Sequence, residues 1–69
     1  MTALGTYLKT AREERGIDKA TMGKAMGISA STVGQIERGS IKRPPMKRLE
    51  GAANLLNIDV TILVELIQP

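Results

Sequence analysis

The side chains in this sequence that are best suited to bind or react are cationic or small and polar. The 69-residue chain has no histidine and no cysteine, which removes the usual general base, the usual metal ligand and every disulfide. Positions 38–48 carry five basic residues and no acidic one, namely Arg38, Lys42, Arg43, Lys47 and Arg48. On a chain of net charge +3, such a block indicates either a polyanionic partner or a solvated surface.

A second chemical feature leads into this basic block, the stretch 27-GISASTVGQIERG-39. Two glycines enclose a run of helical length whose outward face would carry Ser31, Thr32, Gly34 and Gln35. No base accompanies the hydroxyl groups, so covalent catalysis is not expected. The short side chains would instead let the axis of a helix approach another surface closely, with hydrogen-bonding groups at the contact.

The apolar residues recur at helical spacing, and this periodicity predicts the elements that position the polar groups. Four helices are expected, over residues 3–14, 19–26, 30–38 and 45–56. Their core-facing positions are Leu4, Tyr7, Leu8, Ala11, Met22, Ala25, Met26, Val33, Ile36, Leu49, Ala52, Ala53 and Leu56. Met46 is also expected to fill the core, as a flexible methionine often does.

The helix ends carry signals of their own. Asp18, Ser29 and Asp59 are expected to cap N-termini, because a short side-chain oxygen can accept a hydrogen bond from a free backbone N–H. The expected C-terminal stops are Gly16, Gly27, Gly39 and Asn57. The connections between these helices are short, which is typical of a compact all-α domain.

The last segment, 58-IDVTILVELIQP-69, has two interpretations. A helical face is present at Val60, Leu63, Val64 and Ile67, but the β-branched residues also allow a strand. In both cases the segment is more apolar than a solvated chain end should be. It is therefore either a well-buried end or a contact with a partner, often a second copy of the chain. The residues expected at a dimer contact are Ile62, Leu66 and Ile67.

Residues 19–38 combine two predicted helices with a short break. Gly23 lies inside the first helix, where it costs about 1 kcal/mol relative to alanine, so a neighbouring group must approach it closely. Gly27 opens the turn, and Val33 and Ile36 provide an apolar pair for a steep helix crossing. This is the pattern of a helix-turn-helix. Its second helix would project outward and could enter the major groove of B-DNA, which is about 12 Å wide.

The chain resembles the lambdoid phage repressor and Cro proteins, and the broader Xre-like helix-turn-helix family around them. The resemblance covers about residues 4–64 and rests on 8-LKTAREERGI-17, 19-KATMGKAMGISASTVGQIER-38 and 37-ERGSIKRPPMKRLEGAANLLNI-58. The combined pattern consists of Arg12, Gly27, Ser29, Val33, Ile36, Glu37, Gly39, Pro44, Leu49 and Leu56. It implies a compact five-helix, lambda-repressor-like DNA-binding domain that carries the helix-turn-helix in its second and third helices.

The resemblance also implies roles for matching residues. The base-contacting set is Gln35, Ser31, Thr32 and Ala30, and a glutamine can pair bidentately with adenine. The phosphate-contacting set is Lys19, Ser29, Arg38, Lys42 and Arg43, with Lys47 and Arg48 as weaker candidates; such contacts fix register without reading sequence. Arg12 and Glu37 match a pair that forms a buried ion pair in phage repressors.

The recognition surface departs from the family pattern. Ala30 and Ser31 stand where relatives often have two glutamines, or arginine and asparagine, and Gly34 lacks a side chain. Few side chains would therefore contact bases, and sequence preference would depend on DNA shape. Weak binding or none is the alternative, in which Gln35 is simply solvated.

Two functions are compatible with these features. The first is a transcriptional regulator, expected to be a repressor, in which residues 1–69 form one domain that binds operator DNA as a homodimer through residues 58–69. The second is a protein-interaction module, or an antitoxin-like partner, that keeps the fold with little DNA binding. We expect no enzyme activity, cofactor, metal or membrane span, and a location in the cytoplasm of a bacterial or phage-infected cell.

Overall fold

The computed structural model describes residues 2–67 of the chain, and this part forms five α-helices without a strand. The helices are α1 (Ala3–Glu14), α2 (Lys19–Met26), α3 (Ala30–Arg38), α4 (Met46–Leu56) and α5 (Val60–Glu65). The all-α, five-helix prediction is confirmed. Of the two interpretations of the last segment, the helix is correct, with residues 68 and 69 outside the described residues.

The helix ends follow the predicted signals. The side chain of Asp18 accepts from the Thr21 N–H at 2.7 Å, and the side chain of Asp59 accepts from the Thr61 N–H at 2.9 Å. At the other ends, Gly27 and Asn57 close α2 and α4 with left-handed backbone, at φ 76° and φ 58°. The left-handed region is strained for most side chains, so these two residue types set where α2 and α4 end.

One core lies between the helices, with α2 packed against α3 and α4, α1 against α3, and α5 against α4. Its buried apolar residues are Leu4, Leu8, Ala11, Met22, Met26, Val33, Ile36, Leu49, Ala52, Ala53, Leu56 and Leu63. Tyr7 is only half-buried against this cluster. No helix among residues 2–67 has the length and apolar character needed to cross a membrane.

Two of the predicted core positions are wrong. Ala25 is exposed, because α2 meets α4 there with its backbone: a Cβ on Gly51 would clash with the Ala25 carbonyl. Met46 is 50% exposed, since it is the first residue of α4 and lies almost a turn ahead of Leu49, the first buried position of that helix.

The crossing of α2 and α3 requires the glycine inside α2. A Cβ on Gly23 would stand 2.6 Å from the Ile28 carbonyl oxygen, which is far too close for a real contact. The close approach predicted at Gly23 is therefore present, and the approaching group is the backbone of the turn between the two helices. This crossing determines how α3 is presented to solvent.

Candidate nucleic-acid interface

Helix α3 is divided lengthwise into a buried and an exposed side. Val33 and Ile36 are each 2% exposed, and both belong to the core. On the opposite side, Ala30, Ser31, Gln35 and Arg38 are exposed, whereas Thr32 is half-buried. The structure thus presents most of the predicted base-contacting set on one outward stripe, with α3 held from behind by the core.

Gly34 does not belong to that outward stripe, contrary to the prediction. It is buried, because the side chains of Arg38 and Lys19 lie over it. A Cβ on Gly34 would stand 3.1 Å from Arg38 Nη1 and 3.6 Å from Lys19 Nζ. The missing side chain therefore leaves space for two cationic groups beside α3.

The N-terminus of α3 is fixed by hydroxyl groups. Ser29 Oγ accepts from the Thr32 N–H at 3.1 Å, and the hydroxyls of Ser29 and Thr32 lie 2.9 Å apart. Ser29 is thus the helix cap that the sequence predicts. Since both hydroxyls are exposed at the start of the outward stripe, they remain able to accept or donate one further hydrogen bond.

A buried ion pair fixes the other end of α3 to α1. Arg12 Nε lies 2.8 Å from Glu37 Oε2, and Arg12 Nη2 donates to Glu37 Oε1 at 3.1 Å. Arg12 Nη1 also donates to the Ile17 carbonyl at 2.8 Å. This is a bidentate, charge-assisted pair, as the resemblance to phage repressors implies. The hydrogen bond to Glu37 raises the pKa of Arg12 above its ordinary value, against the opposing effect of burial.

The loop after α3 presents its cations between two anchors. The Ser40 N–H donates to the Gln35 carbonyl at 2.9 Å, which closes α3. Ile41 packs against the core and Pro44 is buried, whereas Lys42 and Arg43 between them are exposed. The predicted phosphate-contacting residues of this loop therefore lie at the surface next to the end of α3.

Of the two weaker phosphate candidates, Lys47 is exposed and Arg48 is engaged elsewhere. Arg48 Nη1 donates to the Met26 carbonyl at 3.3 Å, at the C-terminus of α2. A Cβ on Gly27 would lie only 2.6 Å from the same guanidinium nitrogen. Arg48 thus satisfies a free carbonyl at a helix end, which is a structural role.

A small cavity of about 220 Å³ lies beside α3 and is lined by Lys9, Lys19, Gly34, Glu37 and Arg38. Lys9 was not among the predicted site residues. A signal was present, because Lys9 precedes Arg12 by three positions and so shares its side of α1. The pairing of Arg12 with Glu37 turns that side of α1 towards the end of α3.

The predicted dimer residues differ in their surroundings. Ile62 is 40% exposed, whereas Leu66 and Ile67 are half-buried and pack against the core of the chain itself. Of the three predicted dimer residues, Ile62 thus exposes the largest fraction of its apolar side chain to solvent.

The amino-acid sequence matches a family model described as a helix-turn-helix domain over residues 3–66. It is 35% identical over 60 residues to the ImmF control region 10 kDa protein of Bacillus phage phi105, covering 87% of this chain and 66% of that protein. It is 37% identical over 54 residues to YazB, an uncharacterized HTH-type transcriptional regulator of Bacillus subtilis, covering 78% of this chain and 77% of YazB.

Solved structures give the same fold. Bacillus thuringiensis PlcR, in complex with the peptide PapR7 and DNA, has a TM-score of 0.87 at 28% identity. All of this chain is covered in that match, but it spans only 24% of the PlcR chain. SinR of Bacillus subtilis, the master regulator for biofilm formation, solved in complex with DNA, has a TM-score of 0.79 at 26% identity and is covered over 97% of its chain.

The family match spans the helix crossing at Gly23, the capped helix α3 and the ion pair behind it. Its solved relatives include regulators determined in complex with DNA. The chain therefore belongs to the helix-turn-helix domain family and has the lambda-repressor-like fold of DNA-binding regulators.

Proposed function

We propose that this chain is a transcriptional regulator that binds duplex DNA by inserting α3 into the major groove. The observation that carries the proposal is the outward stripe of α3, which begins with the small residues Ala30 and Ser31 and lies over an inner side that is packed into the core. A helix without bulky outward side chains can lie deep in a groove about 12 Å wide. That stripe ends in the exposed cation Arg38, and two further exposed cations, Lys19 and Lys42, lie on the neighbouring helix and loop.

Base reading in this proposal depends mainly on Gln35. Its exposed amide can pair bidentately with adenine. Ser31 and Thr32 add hydroxyl groups, and Ala30 adds a methyl group that can contact a thymine methyl. With so few reading groups, sequence-dependent DNA shape supplies part of the specificity.

Backbone contacts supply most of the affinity. The proposed phosphate-binding residues are Lys19, Ser29, Arg38, Lys42 and Arg43. These contacts hold the chain on the duplex and release condensed counterions, so affinity should fall steeply as salt rises. Because operator DNA lies in the cytoplasm of a bacterium or a phage-infected cell, the proposal implies that location.

We further propose that residues 1–69 act as one repressor domain that dimerises through residues 58–69. The exposed apolar side chain of Ile62 supports this proposal, together with Leu66 beside it. Two-fold dimers of this kind place their recognition helices about 34 Å apart, one turn of B-DNA.

The experiment is titration of the isotope-labelled chain with duplex DNA at low salt, followed by NMR amide shifts. We expect the largest shifts at residues 29–38 and 42–43, with little change at α5. If no amide shifts on addition of duplexes of varied sequence, the proposed function is wrong.

A protein-interaction module is the second candidate, and the exposed Ile62 favours it. PlcR has been solved with a peptide, and SinR with the SinI protein. In this alternative the chain would bind a protein through its C-terminal segment, and α3 would not contact DNA. The NMR titration separates the candidates, since only the first predicts shifts along α3.

A further inference from the structure

The cavity beside α3 is partly open to solvent, and three of the five residues that line it are cationic. Lys9 comes from α1, Lys19 is the first residue of α2, and Arg38 is the last residue of α3. Gly34 also lines the cavity, and a side chain at this position would take up part of its space. Three helices thus bring three positive charges to one concave site.

The single acidic residue lining this cavity does not neutralise those charges. Both carboxylate oxygens of Glu37 are already bound by Arg12, one by Nε and the other by Nη2. Within residues 2–67, no hydrogen bond or ion pair engages the side-chain nitrogens of Lys9, Lys19 or Arg38. The cavity therefore retains three positive charges without a counter-charge.

Two of these cations lie next to the same point on α3. Arg38 Nη1 and Lys19 Nζ both lie within 4 Å of the point where a Gly34 Cβ would stand. Like charges beside the same point repel each other, whereas an anion bound there would be attracted by both. A guanidinium and an ammonium group are also the two donors that proteins use most for phosphate.

We propose that this cavity binds one phosphate group, and that Lys9 is a phosphate-binding residue together with Lys19 and Arg38. The source of the phosphate is the DNA backbone, which rests on the proposed function. The cavity adjoins the outward stripe of α3 through Arg38, so we expect a duplex that receives α3 to bring a backbone phosphate to it. Lys9 then adds a contact from α1, outside the helix-turn-helix.

The test is the salt dependence of DNA affinity for the full chain, its Lys9→Ala variant and a Lys24→Ala control. Lys24 is exposed on α2 and does not line the cavity. Its replacement by alanine removes one positive charge, as the replacement of Lys9 does, and is therefore a matched control. Loss of one phosphate contact makes the slope of log affinity against log salt shallower by about 0.9. We expect that change for Lys9→Ala and the unaltered slope for Lys24→Ala. An unaltered slope for Lys9→Ala would overturn the inference.

A second variant separates phosphate binding from structural support. Gly34→Ala places a methyl group against Arg38 Nη1, whose flexible side chain can move aside. Alanine favours a helix over glycine, so we expect an equal or higher Tm together with a several-fold lower DNA affinity. DNA affinity unchanged from the parent chain would count against the inference.

The source of the phosphate is tested by titrating the DNA-free chain with inorganic phosphate while following the amide shifts of Lys19 and Gly34. If the chain binds no duplex, the proposed function fails, and this titration then decides the inference alone. Shifts that disappear in Lys9→Ala would support a site for free phosphate. The absence of shifts in a chain that binds no duplex would overturn it.

Discussion

Helices α3 and α5 are both short and both lie at the surface, yet they expose opposite kinds of side chain. Helix α3 buries the apolar pair Val33 and Ile36. Its exposed side carries small polar groups at the N-terminal end and Arg38 at the C-terminal end. Helix α5 buries Leu63 and leaves Ile62 40% exposed. The exposed side chains of the two helices therefore favour different partners, a polyanion for α3 and an apolar surface for α5.

The two helices also differ in how firmly they are held. Helix α3 has a side-chain cap at Ser29, a left-handed end at Gly39 and the ion pair of Glu37 with Arg12 behind it. Helix α5 has the Asp59 cap and one fully buried side chain, Leu63. Reading base edges requires side chains fixed to within a fraction of an ångström, whereas an apolar contact tolerates adjustment.

The largest effect should come from breaking the support of α3. Glu37→Gln removes the charge that balances buried Arg12, and loss of one partner from a buried pair costs about 3–5 kcal/mol. We expect a correspondingly lower free energy of unfolding by urea denaturation. Glu14→Gln, at an exposed position of α1, is the matched control and should change stability little. Equal stability of the two variants would show that the pair does not hold α3.

The next effect should come from the apolar surface of α5. In Ile62→Asp a charge would enter the proposed dimer contact, and residues central to such contacts contribute about 2 kcal/mol or more. We expect sedimentation equilibrium to show a shift towards monomer, with the fold retained. Asn54→Asp places the same charge on the exposed side of α4 and should leave the assembly unchanged. If the wild-type chain is already monomeric at high concentration, the dimer proposal is wrong.

A smaller effect is expected from the outward stripe of α3. Gln35→Ala removes the amide proposed to read adenine, and one such bidentate pair discriminates by about 1–3 kcal/mol. Affinity for the preferred duplex should fall by that amount, while affinity for unrelated duplexes should change little. Fluorescence anisotropy at fixed salt measures both. An equal loss on every duplex would identify Gln35 as a backbone contact instead.

The smallest effect concerns the aspartate caps of α2 and α5. Hydrogen bonds from Thr21 and Thr61 lower the pKa values of Asp18 and Asp59. The folded state therefore binds fewer protons than the unfolded state in acid. The stability from each cap is present above the unfolded pKa of about 3.9 and is lost as pH falls through the lowered pKa.

Thermal melts between pH 2 and about 6 test these caps. The double variant Asp18→Asn and Asp59→Asn keeps capping oxygens that do not titrate in this range, so we expect a smaller fall of Tm in acid than in the wild type. An identical pH profile would mean that neither cap contributes to acid sensitivity.

Local features of the fold were predictable because each depends on a few neighbouring residues. The caps at Asp18 and Ser29 follow from short oxygen-bearing side chains before an apolar stripe, and the end at Asn57 follows from its tolerance of positive φ. The pair of Arg12 and Glu37 spans two helices; it was predicted by resemblance to phage repressors, since no local pattern encodes it.

The features that failed depend on how whole helices cross. Gly34 is buried because cations from two helices fold over it, and Ala25 is exposed because α2 meets α4 through its backbone. Helical periodicity gives the faces of each helix but not the distance to its neighbours. The cavity itself was not predicted for the same reason, since it exists only after α1, α2 and α3 are packed.

Selection of bound sequences from random duplex DNA at low salt tests whether α3 reads duplex DNA. We expect a two-fold symmetric consensus with half-sites about 34 Å apart, containing an adenine whose enrichment disappears in Gln35→Ala. A pool in which no duplex is enriched over repeated rounds would contradict the proposal that α3 reads duplex DNA.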